Sequence, residues 1–314
     1  MDFLQGVRDV EHLFIVNPTA GKRDITPEIQ RFLSDNPQLS ARMHRTKAPG
    51  EATVYLRRYL ASRPEPIRLY ACGGDGTLNE VVNGAVGFPQ ASVGCYPCGS
   101  GNDFVKYYGG AGPFLDLKGL VDGREVPVDL IQAGERYAIN ACHFGFDTAV
   151  AAAIGRYKRF PLLQGRGAYL AAVARAFLFS MRSRCALTCD GEVFHEGNFL
   201  LCTIANGSHV GGAYRCAPRS RDDDGQLEVC LVDPVSRWKF LRLMGAYQRG
   251  EHLDDPRFSG YIHYRRARSI RLDAPYGFAL SLDGEVVSGQ DFSIRVLPQA
   301  LRFILPRSLP TSMA

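Results

Sequence analysis

Cys72–Gly84 reads CGGDGTLNEVVNG and follows a short apolar segment, Ile67–Ala71, with the character of a buried strand. Gly73, Gly74 and Gly76 permit a backbone with positive φ and leave no side chain between main-chain N–H groups and a ligand. From Thr77 the pattern turns helical, with Leu78, Val81 and Val82 at helix spacing. Strand, glycine turn and helix N-terminus in succession present free N–H donors and a positive dipole end, which suit a phosphate. Asp75 stands inside the turn, where a carboxylate would repel phosphates unless it handles a metal ion, a ribose or a proton. The plain alternative is a tight turn with Asp75 as helix N-cap.

Two further loops of this kind flank the first. The apolar strand His12–Val16 leads into NPTAGKR, Asn17–Arg23, where small residues again leave amides open and Lys22 adds a positive charge. The G-x-x-x-x-G-K-[ST] spacing of a P-loop is absent there. The apolar strand Ser92–Tyr96 leads into PCGSGNDF, Pro97–Phe104. Helices are expected over about Thr26–Ser34 and Gly50–Ser62, with a strand at Ala41–Arg45 between them. Thr46, at the end of that strand, has a hydroxyl placed to bond something above the strand ends, or is an ordinary turn threonine. Strands alternating with helices indicate an α/β layer with a parallel sheet, and ligands of such sheets sit outside the carboxyl ends of the strands. All three glycine loops fall at that edge.

At 314 residues the chain is long for one core, so two domains are expected. Its 46% apolar and 22% charged residues are ordinary for a globular protein. Net charge is +5, too mild to demand a nucleic-acid partner, while attraction to nucleotides or an anionic membrane surface is allowed. Nine cysteines are scattered without metal-ligand spacing; Cys95 and Cys98 have no second pair to complete a zinc site. An odd count and an N-terminus too polar for a signal peptide lead us to expect reduced thiols in a cytoplasmic protein. No apolar run reaches membrane-spanning length.

Beyond Gly109-Gly110 the chain shortens into strand-like pieces: Val126–Ile131, Tyr137–Phe144, Ala186–Cys189, Asn198–Ala205, Leu227–Val232, Ser269–Leu272, Ala279–Leu282 and Phe292–Leu297. These read as an antiparallel β layer, sandwich or barrel-like. The expected division is residues 1–129, joined by a returning strand within about 299–314, against 130–298. One helix is expected over about Gly167–Met181, with a basic lead-in of Arg156, Lys158, Arg159 and Arg166. It is a core helix, or a surface that touches acyl chains with its basic residues at lipid head groups.

Two acidic stretches stand out in this half. Ser220–Glu228, SRDDDGQLE, resembles a loop of oxygen ligands for a hard cation without the EF-hand spacing, or is a solvated hairpin turn. Leu282-Asp283-Gly284-Glu285 is a favoured hairpin turn whose carboxylate could act as a base.

Taken together, NPTAG (Asn17–Gly21), GGDGTLNEVVNG (Gly73–Gly84) and GSGNDF (Gly99–Phe104) resemble the diacylglycerol kinase catalytic domain. DDGQLEV and LDGE add similarity to bacterial lipid kinases and relatives of sphingosine kinases. The resemblance runs over nearly the whole chain with the motifs in order. It implies an α/β nucleotide domain, a β-rich lipid domain, an active site in the cleft between them, and transfer of the ATP γ-phosphoryl group to a lipid hydroxyl. By this resemblance the ATP contacts are Asn17, Pro18, Thr19, Ala20, Gly21, Thr46, Gly74, Asp75, Gly76, Thr77, Leu78, Asn79, Glu80 and Ser100. A structural Mg²⁺ site is implied at Asp224 with the carbonyls of Arg221 and Gln226. Glu285 matches the proton acceptor, and Asp75, Asp103 and Asp129 match a carboxylate network near the phosphates. The chain departs from the pattern at Ala20, where serine is commoner, at Ser100 or Gly101, where threonine is, and at Arg221, where a small or apolar residue is.

The residue logic fits phosphoryl transfer, which is mostly positioning and charge neutralisation. Loop amides and Lys22 would hold phosphates, and a catalytic Mg²⁺ near Asp75 or Asp103 would bridge their oxygens. The implied partner is a lipid substrate met at the inner face of the membrane by a peripheral, transient contact; pairing into homodimers is common in the family. An NAD kinase shares the GGDGT logic but not the need for GSGND. A lipid- or nucleotide-binding protein without turnover is the alternative from another class. A Rossmann dehydrogenase fits less well, since no G-x-G-x-x-G follows the first strand.

Overall fold

A computed structural model describes residues 10–146, 148–150, 153, 171–172, 175–178 and 180–310. The chain divides into two compact units, Met1–Leu130 with Pro298–Ala314, and Ile131–Leu297.

The first unit alternates strand and helix: β1 (Glu11–Val16), α1 (Thr26–Asp35), β2 (Ala41–Arg45), α2 (Glu51–Ala61), β3 (Ile67–Gly73), α3 (Asp75–Ala85) and β4 (Ala91–Pro97). β1 pairs in parallel with β2 and β3, and β3 with β4. The far end of β14 (Glu285–Leu305) extends the sheet, with Arg302 opposite Ser92 and Phe303 opposite Val93. Every residue of β3 and β4 is buried, as in a parallel sheet covered on both faces. The core is large and aromatic: Phe14 stacks on Tyr70 with ring centroids 4.6 Å apart, and Phe104 meets Phe303 edge-on at 5.1 Å. His12, fully buried beside them, hydrogen-bonds the Tyr70 hydroxyl at 2.9 Å. Helices α2 and α3 pack closely because position 84 is glycine; a Cβ there would come within 2.8 Å of Leu56 Cβ.

After β4, two 3₁₀ turns (Phe104–Tyr108 and Gly112–Leu115) and the short helix α4 (Leu117–Val121) lead into β5 (Arg124–Ala133), whose last residues enter the second unit. That unit holds β6 (Arg136–Ala138), β7 (Ala141–Gly145), β8 (Ser183–Cys189), β9 (Glu192–Phe199), β10 (Leu201–Ala205), β11 (Leu227–Val232), α5 (Arg237–Gln248), β12 (Ile262–Ala267), β13 (Ser269–Leu282) and the start of β14. The strands run antiparallel in the order β12-β11-β10-β7-β13-β14. β13 pairs with β8 through Ile270–Asp273 and with β7 through Leu280–Leu282, so one strand serves two parts of the β layer. Phe144, Phe199, Leu231, Leu272 and Leu280 are fully buried between them.

The α/β and β-rich halves are as expected, but several pieces differ. The segment expected as one strand, Tyr137–Phe144, is two, because the backbone at Ile139 and Asn140 bonds a side chain rather than a neighbouring strand. Asn198–Ala205 likewise breaks between β9 and β10. The pieces at 269–272 and 279–282 are one strand, and the piece at 292–297 is continuous with the returning strand expected within about 299–314. Helix α5 and strand β12 have no counterpart among the sequence expectations. The helix over about Gly167–Met181 lies largely outside the described residues, as do Arg156, Lys158, Arg159 and Arg166; of its described members, Ala172 and Ala176 are buried in a cluster with Phe146 and Leu200.

Candidate active site

The three glycine loops meet at the carboxyl edge of the parallel sheet, and their backbones touch. Gly21 has φ +75°, and a Cβ on it would lie 1.9 Å from the Cys98 carbonyl oxygen. A Cβ on Gly99 would lie 2.5 Å from Gly74 Cα. Only residues without side chains allow this approach. Main-chain bonds fix the arrangement: Asn17 N donates to Cys72 O at 3.0 Å, and Cys98 N to Gly73 O at 2.9 Å.

Asp75 does not cap its helix. Gly74 is the N-cap residue and Asp75 is the first of α3. Its carboxylate reaches across to the third loop, where Oδ2 accepts Asn102 N at 2.7 Å and Oδ1 accepts Asp103 N at 2.5 Å. Asn102 adopts φ +51° and clasps its own loop, its side chain bonding both N and O of Gly99 at 3.0 Å. Lys106 donates to Asp103 Oδ1 at 2.6 Å and to Gly101 O at 2.8 Å. Two carboxylates and one ammonium therefore share a small volume. Burial, and then the charge of Asp103, push the Asp75 carboxyl above its ordinary value, against the pull of the two amides and Lys106. Asp75 and Asp103 carry one negative charge more than Lys106 balances when both are ionised, which meets the charge requirement of a hard divalent cation.

In the first loop, the Asn17 side chain donates to Thr77 Oγ1 at 3.2 Å and accepts Thr19 N and Oγ1 at 3.1 and 2.9 Å. Thr19 and Lys22 are exposed and Pro18 and Ala20 partly so; Gly76 and Ser100 are exposed on the neighbouring loops. Thr46 donates to Val16 O at 3.3 Å, so its hydroxyl is spent on the adjacent strand end. Leu78, Thr77 and Asn79 are buried. Glu80 serves the architecture, its oxygens accepting Gly50 N at 2.8 Å and Ala52 N at 3.1 Å at the N-terminus of α2. Asp129 Oδ1 accepts Gln299 N at 2.7 Å.

In the second unit, Asp283 and Gly284 both have positive φ, making a tight hairpin turn, and Glu285 opens β14 exposed to solvent. The carboxylate whose structural role sequence reasoning passed over here is Asp283, which accepts the N–H groups of Ile139, Asn140 and Ala141 at 2.8, 3.1 and 2.9 Å. Asp224 does not fit a cation as it stands. One oxygen accepts Gln226 N at 3.1 Å and the other is paired with the Arg266 guanidinium, while Arg221 pairs with Asp223 at 3.5 Å. A metal ion would first have to displace a cation already in place. Asn102 and Asp283 stand inside stretches the sequence singles out, without the structural roles seen here, whereas Lys106 and Arg266 are the residues sequence reasoning missed. Of these two, Lys106 carried a signal, its three-residue spacing from Asp103.

Comparison with known proteins fixes the family. Residues 11–133 match the diacylglycerol kinase catalytic domain, and residues 140–305 match the YegS C-terminal NAD kinase beta sandwich-like domain. The chain belongs to the diacylglycerol kinase family. It is 30% identical over 249 residues to the "Probable lipid kinase YegS-like" protein of Shewanella frigidimarina (strain NCIMB 400), covering 77% of this chain and 78% of that one. It is 29% identical to the diacylglycerol kinase of Bacillus subtilis (strain 168), covering 86% and 88%. A crystal structure of a diacylglycerol kinase from Bacillus anthracis str. Sterne shares the fold, with a TM-score of 0.67 at 19% identity over 96% and 98% of the two chains. As a member of this kinase family the chain is an ATP-dependent lipid kinase, and the three glycine loops all lie in the part that matches the catalytic domain.

Proposed function

We propose that this diacylglycerol kinase family member transfers the ATP γ-phosphoryl group to the hydroxyl of a lipid such as diacylglycerol, with the three glycine loops as its phosphate site. One observation carries the reading: Asp75, at the head of α3, bonds the backbone of the GSGND loop and lies beside Asp103 and Lys106. That arrangement gives the second and third loops one shared charge network. Open amides of the loops, with Lys22, would bind and orient the phosphates. Asp75 and Asp103 would hold Mg²⁺, which when bound neutralises charge on the transferring group. Glu285, exposed at the start of β14, would take the proton from the attacking hydroxyl. Glu80, Asn17 and Asn102 position the loops from behind.

The acceptor would be met at a membrane surface. No helix among the described residues is long and apolar enough to cross a membrane. Helix α5 instead turns Trp238 (81% exposed), Leu241 and Arg242 outward at i, i+3 and i+4. An aromatic and an aliphatic side chain beside an arginine suit contact with acyl chains under anionic head groups. The test is a lipid-panel kinase assay with labelled ATP, Mg²⁺ and mixed micelles of each lipid, with NAD as the soluble control. Label in a lipid supports the reading. Label in NAD alone overturns it.

A further inference from the structure

Strands β9 and β12 are both edges: among the described residues β9 pairs with β8 alone and β12 with β11 alone. Their side chains nevertheless meet. Arg265 of β12 donates to Glu192 of β9 at 2.9 Å, and its guanidinium lies 6.0 Å over the Phe194 ring. Next to that contact, His195 of β9 and His263 of β12 approach with ring centroids 5.9 Å apart. Asp233, just beyond β11, bonds His263 Nε2 through Oδ2 at 2.8 Å. The register explains the meeting. Leu187 pairs with His195 while Thr188 pairs with Val193, so Phe194 is an extra residue in β9. Such a bulge re-aims the side chains around it.

We propose that His195, Asp233 and His263 bind one divalent transition-metal ion of the zinc class, which ties the edge of β9 to that of β12. One ligand atom from each residue lies within 4.8 Å of the others. A tetrahedral ion with metal–nitrogen distances of about 2.0–2.1 Å needs ligand atoms about 3.3 Å apart, which His195 reaches by closing and the His263–Asp233 pair by opening slightly from 2.8 Å. His195 Nε2 is buried and has no hydrogen-bond partner, so one ring nitrogen is aimed inward with nothing to bond. The donor set of two imidazoles and one carboxylate selects zinc-like ions over Mg²⁺, which takes oxygen ligands. The side chains of His263 and Asp233 are 41% and 27% exposed, giving the ion an entry path and leaving a fourth position for water. All three residues belong to the second unit, none has a role in the phosphoryl-transfer reading, and the proposal does not rest on that reading.

The test uses the full chain after removal of metals with a chelator. Titration with Co²⁺ is expected to give one equivalent with the visible spectrum of a tetrahedral ion, displaced by Zn²⁺. In His195→Gln, His263→Gln and Asp233→Asn, affinity is expected to fall at least about tenfold, as loss of even an outer-shell partner does. Zn²⁺ should raise the Tm of the wild-type chain and leave those variants unmoved. Should His195→Gln fail to fold, the two partly exposed positions carry the same comparison. No tetrahedral Co²⁺ spectrum in the wild type, or an unchanged one in the folded variants, overturns the proposal.

Discussion

Asp103 N donates to Asp75 Oδ1 at 2.5 Å, which makes the first residue of one helix the clasp of a loop that begins more than twenty residues later. The same carboxylate is raised in pKa by its burial and by its acidic neighbour. Geometry and charge therefore pull in opposite directions at Asp75, and a bound cation favours the ionised form.

Asp75→Asn leaves one acceptor oxygen where two N–H groups need two. Turnover in the lipid kinase assay is expected to fall at least about 100-fold, the scale of losing one aligned electrostatic contact. Turnover within about twofold of wild type would remove Asp75 from the reaction.

Glu285 and Asp283 sit two residues apart with different duties. Glu285→Gln is expected to lose turnover at unchanged Tm, since the side chain is exposed. Asp283→Ala removes a carboxylate that holds three N–H groups, and is expected to cost at least about 2 kcal/mol of stability in denaturant unfolding. Equal Tm losses in the two variants would contradict this division.

Arg266 occupies the Asp224 carboxylate. Arg266→Ala is expected to create or tighten Mg²⁺ or Ca²⁺ binding at the Ser220–Glu228 loop, read as a cation-dependent rise in Tm that the wild type lacks. A wild-type response as large as that of the variant would show that the guanidinium does not block the site.

His252 is 2% exposed, packs at a tilt against Tyr247 with ring centroids 4.4 Å apart, and burial lowers its pKa from 6.5 to about 4. The neutral ring is the form the fold accepts. Its contribution is full above pH 6.5 and is lost as pH falls toward 4, at most about 3 kcal/mol. Thermal unfolding of wild type and His252→Gln should therefore differ more at about pH 7 than at about pH 4.5. A constant difference would remove His252 from the acid sensitivity.

Two strands are legible to both ends: β11, LEVCLV, which is apolar but for Glu228 and buried throughout, and β2, ARMHR, which is set off by the helical segments on either side of it. Helix α5 is not, because Trp238 and Leu241 point outward and only Leu243 and Ala246 are buried, which blurs the stripe. β12, IHYRRA, looks like a charged loop because its long side chains lie half-exposed along an edge. β13 looks like two pieces because Ala274-Pro275-Tyr276-Gly277 has turn chemistry, which a strand irregularity tolerates. The glycine loops are legible because their chemistry is local. The duties of Glu80 and Asp283 are not, since their partners, Gly50 and Ile139, lie 30 and 144 residues away.

The contacts Gly21–Cys98 and Gly74–Gly99 are between backbones, with no flexible side-chain end to yield. A substitution at Gly21 cannot be repaired within its own loop; the segment after β4 would have to move as well. The three loops can therefore drift over generations only as a set, and libraries randomised at Gly21, Gly74 and Gly99 should return glycine far more often than one randomised at Gly112, where φ is not positive and a Cβ would meet nothing within 4 Å.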